Sequence, residues 1–364
     1  YRFPKAERSL NEQTFAGISS AQSVLYDVAM RGILSRGRSV ERVKLRIWAV
    51  ALSPEGGLLA VAGDSRKIRL WSVSKAKWVG ALEAPAMPVF DVAFSPDGRL
   101  LAAVTNAGKL RLWDVAKRKK LATLDAHGRM ALCVRFSPDG QRLATGGMDR
   151  LIRVWSVRTR KLWSTFRHPD GAIWAVAFSP NGKLLASAGW HQTRSRVRLW
   201  SLRDRKAMAN DTSHVGPLWA LAFTPDSTQL VVGGLDKTIR VLSAHKLRLQ
   251  RVLRHHEADV TSLAFSPDGR WLASGSIDRS IALWRTDRWT RLASVRAHGR
   301  QVWSVAFSAN GRLLASGGWD GKAHLWKLTG GKGRPVRLHV PAGRKRFPTV
   351  AAWYAAAGKR VVTR

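Results

Sequence analysis

Three groups of residues in this chain have the side-chain types of a nucleophilic catalytic site, in which a histidine activates a hydroxyl group and a carboxylate orients the histidine. The groups are His127, Thr145 and Asp149; His256, Ser274 and Asp278; and His298, Ser316 and Asp320. Each group occupies the same positions of a stretch that the chain repeats. Because an active centre is not expected to recur in successive repeats, we interpret the groups as structural and predict no catalytic residue and no enzyme.

Other chemical motifs are weaker. The run Trp319 to Ala323 (WDGKA) has a passing likeness to a phosphate-binding loop, but it lacks the leading glycine at the proper spacing and a Ser or Thr after the lysine. The histidines fall mostly one to a repeat, and no spacing matches a metal site. The single cysteine, Cys133, replaces an apolar residue of a predicted strand, so we interpret it as a small buried hydrophobic side chain. We therefore predict no cofactor, no metal and no small-molecule substrate.

The stretch from Gln301 to Trp326, QVWSVAFSANGRLLASGGWDGKAHLW, shows the elements that position these residues. Alternating β-branched and aromatic residues predict a strand over Val302–Ser308, a second over Leu313–Gly317 and a third that ends at Trp326. Asn, Asp and Gly mark the turns between them. A fourth, outer strand follows in each repeat.

The Ser-Pro or Thr-Pro that closes the first strand recurs through the chain. It stands at Ser53, Ser95, Ser137, Ser179, Thr224 and Ser266, with Ser308 as the seventh copy, at intervals of 42, 42, 42, 45, 42 and 42 residues. The long interval arises because the second turn of the fourth repeat, Trp190 to Ser195, is longer than its counterparts. A fixed period of this length with four short strands is typical of a β-propeller.

With these motifs the chain resembles the WD-repeat (WD40) β-propeller family. The residues that carry the resemblance are SPDGRLL (Ser95 to Leu101), GGMDRLIRVW (Gly146 to Trp155), GSIDRSIALW (Gly275 to Trp284) and GGWDGKAHLW (Gly317 to Trp326). The resemblance covers nearly the whole chain. It implies an all-β fold, with residues 1–364 forming a single propeller of four-stranded antiparallel blades.

The resemblance also explains the polar groups. In the family a hydrogen-bonded His, Ser/Thr, Asp and Trp lock many blades, so the resemblance implies that Trp155, Trp284 and Trp326 complete the three groups. The fourth repeat keeps His168, Ser187 and Trp200 but has His191 in the Asp position.

Three repeats depart further from the family pattern. The fifth keeps His214 and Asp236 but has Val232 and Leu242, so this polar pair is expected to lack partners. The first and second repeats retain only Trp71 and Trp113, with Ser65 and Ala107 at the turn, and are expected to rely on apolar packing.

The two ends of the chain look complementary. Residues 14–47 align with the back half of a blade and 348–364 with the front half, on either side of seven complete repeats in 48–342. A composite blade built from both ends would close the ring without an open strand edge. We therefore predict eight blades. The alternative is seven blades, with the ends packed outside or the chain a fragment of a longer double propeller.

Aromatic residues recur at the start of the first strand and before the turn Asp position. They are Trp48, Phe90, Trp174, Trp219 and Trp303 at the first place, and Trp190 and Trp319 at the second. The family's geometry implies that they cluster on one face around the central channel. Either the rings pack on one another, or they form a docking surface for a protein partner.

The chain is strongly basic, with 62 Lys and Arg against 24 Asp and Glu, a formal net charge of +38 and a pI near 11.7. Such a field attracts polyanions. The loops between third and fourth strands, expected on the opposite face, carry Lys75, Lys77, Lys117, Arg118, Lys119, Lys120, Arg158, Arg160, Lys161, Arg203, Arg205, Lys206, Lys246, Arg248, Arg285 and Arg288, continued by Lys327, Lys332 and Arg334. The acidic residues of these loops are chiefly Asp204 and Asp287. We predict a polyanion-binding ring; the alternative is a solvated rim that deters edge pairing.

These patterns favour a non-catalytic scaffold. The basic loops would contact nucleic acid, with RNA favoured, or another polyanion inside a large ribonucleoprotein-like assembly, while the Trp-rich face binds other protein subunits. The alternative is a sensor or interaction domain beside an NTPase or kinase domain, with incidental charge. No apolar run approaches the 18 residues of a membrane span. The first residue, Tyr1, indicates a processed or trimmed product, and the cytoplasm or an organelle matrix is favoured.

Overall fold

A computed structural model of the protein describes residues 45–169, 171–191, 194–329 and 337–339. These residues form seven antiparallel sheets of four strands, and in each sheet the strands lie side by side in chain order. We call the sheets blades 1 to 7. The all-β fold class and the propeller architecture are confirmed.

The strand boundaries follow the repeat. Blades 1 and 2 contain β1 (Ile47–Leu52), β2 (Leu58–Gly63), β3 (Lys67–Ser72), β4 (Lys77–Glu83), β5 (Val89–Phe94), β6 (Leu100–Thr105), β7 (Lys109–Asp114) and β8 (Lys119–Asp125). Blades 3 and 4 contain β9 (Ala131–Phe136), β10 (Arg142–Gly147), β11 (Leu151–Ser156), β12 (Leu162–Arg167), β13 (Ala172–Phe178), β14 (Leu184–His191), β15 (Arg194–Ser201) and β16 (Lys206–Asp211). Blades 5 to 7 contain β17 (Leu218–Phe223), β18 (Gln229–Gly234), β19 (Thr238–Ser243), β20 (Leu249–Arg254), β21 (Val260–Phe265), β22 (Trp271–Ser276), β23 (Ser280–Arg285), β24 (Thr290–Arg296), β25 (Val302–Phe307), β26 (Leu313–Gly318), β27 (Ala323–Thr329) and β28 (Arg337–His339).

The first strand of each blade lines the ring axis, because each packs against the first strand of the next blade. The middle strands are almost wholly buried, as in β6 (LLAAVT), since each blade lies between two others. Outer strands such as β8 (KKLATLD) are half exposed and alternate in burial. The core therefore consists of the layers between neighbouring blades.

The ring closes with seven blades, so the prediction of eight is wrong and the seven-blade alternative is the observed number. Strand β1 of blade 1 packs directly against β25 and β26 of blade 7. At this joint Gly317 lies so close to Ile47 that a Cβ would stand 2.6 Å from its Cγ2 atom. No space remains for another sheet between them. The segments assigned to a composite blade lie outside the described residues, apart from residues 45–47.

The long turn predicted in blade 4 has a simple structure. Strands β14 and β15 are both longer than their counterparts and continue to pair as far as His191 and Arg194. The extra residues therefore lengthen a hairpin without disturbing the sheet.

Each face of the ring carries its own set of turns. We call lower the face that holds the turns from first to second and from third to fourth strands, which hydrogen-bond each other; for example, Val115 N–H donates to Arg99 O at 2.9 Å. The upper face holds the turns from second to third strands and the loops between blades. Equivalent turns thus share a face, as the repeat predicts.

Candidate functional site

The three complete polar groups form as the sequence predicts. In blade 3, His127 Nδ1 lies 2.7 Å from Asp149 Oδ1, His127 Nε2 lies 3.0 Å from Thr145 Oγ1, and Trp155 Nε1 donates to the same hydroxyl at 3.1 Å. Blades 6 and 7 repeat this arrangement at 2.7 to 3.0 Å; their residues are His256, Ser274, Asp278 and Trp284, and His298, Ser316, Asp320 and Trp326.

The electrostatics of these groups suit a structural role. Burial opposes ionisation of Asp320, but hydrogen bonding and charge from His298 lower its pKa to about 2. The pKa values of Asp149 and Asp278 are also lowered, for the same reasons. The hydroxyl groups of Thr145, Ser274 and Ser316 belong to fully buried residues, so no substrate atom reaches them.

The fifth repeat departs from the prediction in part. Its polar residues were expected to lack partners, which is wrong for Asp236, because this residue accepts hydrogen bonds from Thr238 at 2.8 Å and Arg240 at 3.2 Å. His214 Nε2 lies 3.3 Å from Asp211 Oδ2 but is buried without a hydrogen-bond partner. In blade 4, Trp200 Nε1 donates to Ser187 Oγ at 2.9 Å.

Blades 1 and 2 do not rely on apolar packing alone. Trp71 and Trp113 are buried as expected, but Arg69 and Arg111 of the neighbouring strand positions are buried too, at 4% and 6% exposure. The sequence pattern gave no reason to expect arginines inside these blades.

One group of potential metal ligands occurs among the described residues. Ligand atoms of His298, Asp320 and His324 lie within 4.8 Å of one another. Both ring nitrogens of His298 already contact Asp320 and Ser316 within its polar group. His298 and Asp320 therefore belong to the polar group of blade 7 and do not form an open metal-coordination site.

The channel along the axis is narrow, with a cavity of about 90 Å³. Side chains of the first strands bridge neighbouring blades there: Val134 N–H donates to Asp91 Oδ2 at 2.9 Å, and Val305 N–H to Ser262 Oγ at 3.0 Å. Burial raises the pKa of Asp91, and the charge of Arg135 offsets part of this effect. Cys133 is buried beside them, as predicted, and burial raises its pKa to about 12.

The predicted aromatic residues meet at the upper mouth of this channel. Trp48 contacts Phe90, Trp303 and Trp319 edge-on at centroid distances of 5.0 to 5.4 Å. Trp303 stacks on Trp319 at 4.8 Å, and Trp174 meets Trp219 at 4.9 Å. We call these six residues the aromatic ring.

The six residues of the aromatic ring differ in their solvent exposure. Trp48, Phe90 and Trp319 are buried, whereas Trp174, Trp219 and Trp303 are half-buried. The remaining predicted residue, Trp190, is buried opposite Ala172 in blade 4. Packing therefore accounts for the first three and Trp190, and a partner can reach only the half-buried tryptophans.

Two carboxylates that the sequence analysis overlooked hold the aromatic ring in place. Asp64 accepts from Trp48 Nε1 at 2.8 Å and pairs with Arg46. Asp259 accepts from Trp219 Nε1 at 3.0 Å. Burial raises the pKa of Asp259 to about 6.

The predicted basic residues of blades 1 to 6 all lie on or beside the lower turns. Fifteen of the sixteen are exposed, and the sixteenth, Arg285, is half-buried. Among the described residues only Arg285 of this set forms an ion pair with a carboxylate, with Asp287 at 2.5 Å. Lys327 is also exposed; Lys332 and Arg334 lie outside the described residues. We call the sixteen residues the cationic rim.

Three members of the cationic rim also clamp the preceding blade. Arg118, Arg160 and Arg205 occupy one turn position with φ of 51°, 59° and 54°. Arg160 donates to Leu121 O of blade 2 at 2.9 Å, and the Arg205 guanidinium lies 4.5 Å from the Trp163 ring centroid of blade 3. These arginines therefore combine exposure with a packing role.

The lower face also carries acids that the sequence analysis did not count. Turns between first and second strands, nearer the axis, hold Glu55, Asp97, Asp139, Asp226 and Asp268, all exposed. Serine or threonine hydroxyls donate to the four aspartates, and the hydrogen bond from Ser95 lowers the pKa of Asp97. The same turns also carry exposed Arg99, Lys183, Arg270 and Arg312. The lower face thus has a mixed inner ring, with carboxylates and cations in the same turns, and a basic outer ring.

Comparison with known protein families agrees with the seven-bladed fold. The family described as "WD domain, G-beta repeat" matches residues 42–72, 77–114, 118–156, 160–201, 207–243, 247–285 and 289–327. The chain belongs to the WD40 family. Each later WD40 match runs from the outer strand of one blade to the third strand of the next, so the sequence repeat is offset from the structural blade. Comparison with curated proteins gave no match.

Membership of the WD40 family implies a protein-interaction scaffold that is typically non-enzymatic. The part of the chain that the structure describes contains no apolar helix of membrane-spanning length.

Proposed function

We propose that this WD40 propeller is a docking scaffold whose cationic rim lies along a polyanion, with RNA the favoured ligand, while the half-buried tryptophans of the aromatic ring bind a protein subunit. The proposal concerns a large assembly of the ribonucleoprotein type. Family membership supports the role of a scaffold. The lower face carries the cationic rim and the upper face the aromatic ring, so the two faces would bind different ligands.

The observation that carries the polyanion proposal is the unpaired state of the cationic rim. Fifteen of its side chains are exposed and have no carboxylate within 4.0 Å among the described residues. Exposed cations that are not neutralised repel one another, and a phosphate backbone relieves that repulsion while releasing counterions.

The mixed inner ring favours one position for such a ligand. A phosphate chain that crossed the axis would meet the carboxylates of Glu55, Asp97 and their counterparts as well as cations, whereas one that followed the outer turns would meet mainly lysine and arginine. We therefore place the polyanion along the rim. Contacts would be between basic side chains and phosphates, which position a nucleic acid without reading its sequence.

Charge reversal tests the proposal. The lower-rim variant replaces Lys117, Lys119, Lys120, Arg158 and Lys161 by Glu and spares the clamping arginines. The upper-face control replaces five exposed residues of the other face by Glu: Arg66, Arg129, Arg150, Arg279 and Arg300. Both variants lose the same charge. We expect the lower-rim variant to bind a mixed-sequence single-stranded RNA at least about tenfold more weakly than the control. Equal weakening would show that only net charge matters.

The half-buried tryptophans are tested separately. Trp174 is half-buried, whereas Trp48 is buried and contacts three other aromatic side chains, so Trp174→Ala is expected to disturb the fold less than Trp48→Ala. We expect Trp174→Ala to reduce recovery of protein subunits with the propeller from its native source, with retained RNA binding. Unchanged recovery of every subunit would favour the packing role for all seven aromatic residues.

A further inference from the structure

The buried Arg111 of blade 2 has no counter-charge. Only 6% of this residue is exposed, and its Nε and Nη1 atoms are buried without a hydrogen-bond partner. No carboxylate lies within 4.0 Å of it among the described residues. A buried guanidinium cannot lose its proton near neutral pH, and a buried unpaired charge is strongly unfavourable.

Arginines at the equivalent position in blades 3 and 5 each have an aspartate partner that Arg111 lacks. Arg153 of blade 3 donates to Asp149 Oδ2 at 2.6 Å, and Arg240 of blade 5 pairs with Asp236 at 3.2 Å. In both blades the aspartate stands four residues before the arginine. The corresponding residue before Arg111 is Ala107.

The positions that hold the histidine and the hydroxyl residue of the polar group in blade 3 are not polar in blade 2 either. At 42 residues before His127 and Thr145 of blade 3 stand Pro85 and Ala103, and Ala103 is the direct cross-strand neighbour of Arg111. Thr105, two residues further along β6 and therefore on the same sheet side, has a buried Oγ1 atom without a hydrogen-bond partner. Ala107 and Pro85, at the upper-face end of this part of blade 2, are exposed.

We propose that blade 2 contains a carboxylate-binding site in which Arg111 takes the ligand in the place that aspartate fills in blades 3 and 5. The ligand is either an Asp or Glu side chain of a protein or a small free carboxylate. The guanidinium supplies two parallel donors of the kind that bind carboxylates bidentately, and Thr105 Oγ1 supplies a third polar group nearby. The site is independent of the polyanion proposal, because it lies on the opposite face from the cationic rim.

The first test is thermal unfolding with increasing acetate, with chloride used to hold ionic strength constant. The strongly basic protein will respond to any anion, so the readout is the difference between variants. We expect acetate to raise the melting temperature of the wild type more than that of Arg111→Met, which keeps the packing volume but removes the charge. Equal acetate responses in the two proteins would overturn the proposal and show that solvent alone satisfies Arg111.

Two further variants keep the test decisive if Arg111→Met folds poorly. Ala107→Asp supplies the carboxylate internally, so we expect a melting temperature about 2–4 °C higher without acetate and loss of the specific response. Asp236→Ala removes the carboxylate partner of Arg240, which keeps its hydrogen bond to Ser213, so we expect a gained acetate response. An Ala107→Asp protein that is no more stable and responds to acetate like the wild type would contradict the site.

The source of the carboxylate is distinguished by calorimetry with two probes, acetate and N-acetyl-aspartate amide. Binding of the peptide-like probe at least about tenfold tighter than acetate would identify a protein side chain as the ligand. Equal affinity would identify a free small carboxylate. Neither probe binding in an Arg111-dependent manner would again overturn the proposal.

Discussion

Ser304 Oγ in blade 7 accepts a hydrogen bond from the backbone N–H of Val50 in blade 1 at 3.1 Å. The same kind of bond joins Ser262 of blade 6 to Val305 of blade 7 at 3.0 Å. The joint that closes the ring is therefore built like a joint inside it. This identity is what excludes an additional blade between the two ends of the described chain.

The closing joint gives a prediction for stability. A Cβ on Gly317 would lie 2.6 Å from Ile47 Cγ2, and one on Gly275 would lie 2.8 Å from Val302 Cγ1. We expect Gly317→Ala and Gly275→Ala each to lower the free energy of unfolding by about 1–3 kcal/mol through overpacking. Gly128 has no atom within 4 Å of such a Cβ, so Gly128→Ala is the control in chemical denaturation. A neutral Gly317→Ala would contradict the direct contact between blades 7 and 1.

The polar group of blade 6 gives a second prediction. Ser274 Oγ contacts both His256 Nε2 and Trp284 Nε1, at 2.7 and 2.9 Å. Ser274→Ala leaves both nitrogens buried without their partner, so we expect a loss of about 1–3 kcal/mol in the free energy of unfolding. The exposed Ser294→Ala of the same blade should change it by less than about 0.5 kcal/mol. Similar values for the two variants would remove the structural role assigned to the polar group.

The carboxylate that holds Trp219 predicts a pH dependence. Burial raises the pKa of Asp259 from 3.8 to about 6, against hydrogen bonding from Trp219 and the charge of Lys237, while Asp236 adds to the rise. Because the folded-state pKa lies above the unfolded value, its contribution to stability is present below about pH 4 and is lost as the pH rises through 6. Asp259→Asn retains an acceptor for Trp219 without this loss.

We therefore expect the stability of Asp259→Asn relative to the wild type to increase between pH 4 and pH 7, by about 1–3 kcal/mol. Denaturant unfolding at each pH measures this difference. Asp268→Asn, at an exposed turn position of the lower face, is the control variant. A constant difference between Asp259→Asn and the wild type across the range would contradict the buried position of the carboxylate.

Much of this fold could be predicted from the sequence, because the repeat specifies local and neighbouring contacts. The polar groups of blades 3, 6 and 7 follow from residue types at fixed positions. The blade number could not be obtained in this way. The terminal segments resemble half-blades and suggested an eighth blade. The packing of Gly317 against Ile47 joins the first and last blades of the ring, and no local sequence pattern predicts such a contact.

The candidate sites were likewise predicted only in part from the sequence. The sequence placed the cationic rim on one face correctly, because turns of one type share a face. It overlooked the carboxylates of the mixed inner ring, since Asp97 and its counterparts read as turn residues rather than as charges on that face. It also gave no sign of Arg111, whose isolation depends on the absence of an aspartate at Ala107 and is visible only by comparison with Arg153.

The salt dependence of RNA binding tests the central proposal most directly. Each phosphate neutralised on a single strand contributes about −0.7 to the slope of log Kobs against log salt concentration. For the wild type we expect a slope of about −2 or steeper with a mixed-sequence single strand, and a shallower slope for the lower-rim variant than for the upper-face control. A wild-type slope near zero, or equal slopes for the two variants, would contradict a polyanion on the cationic rim.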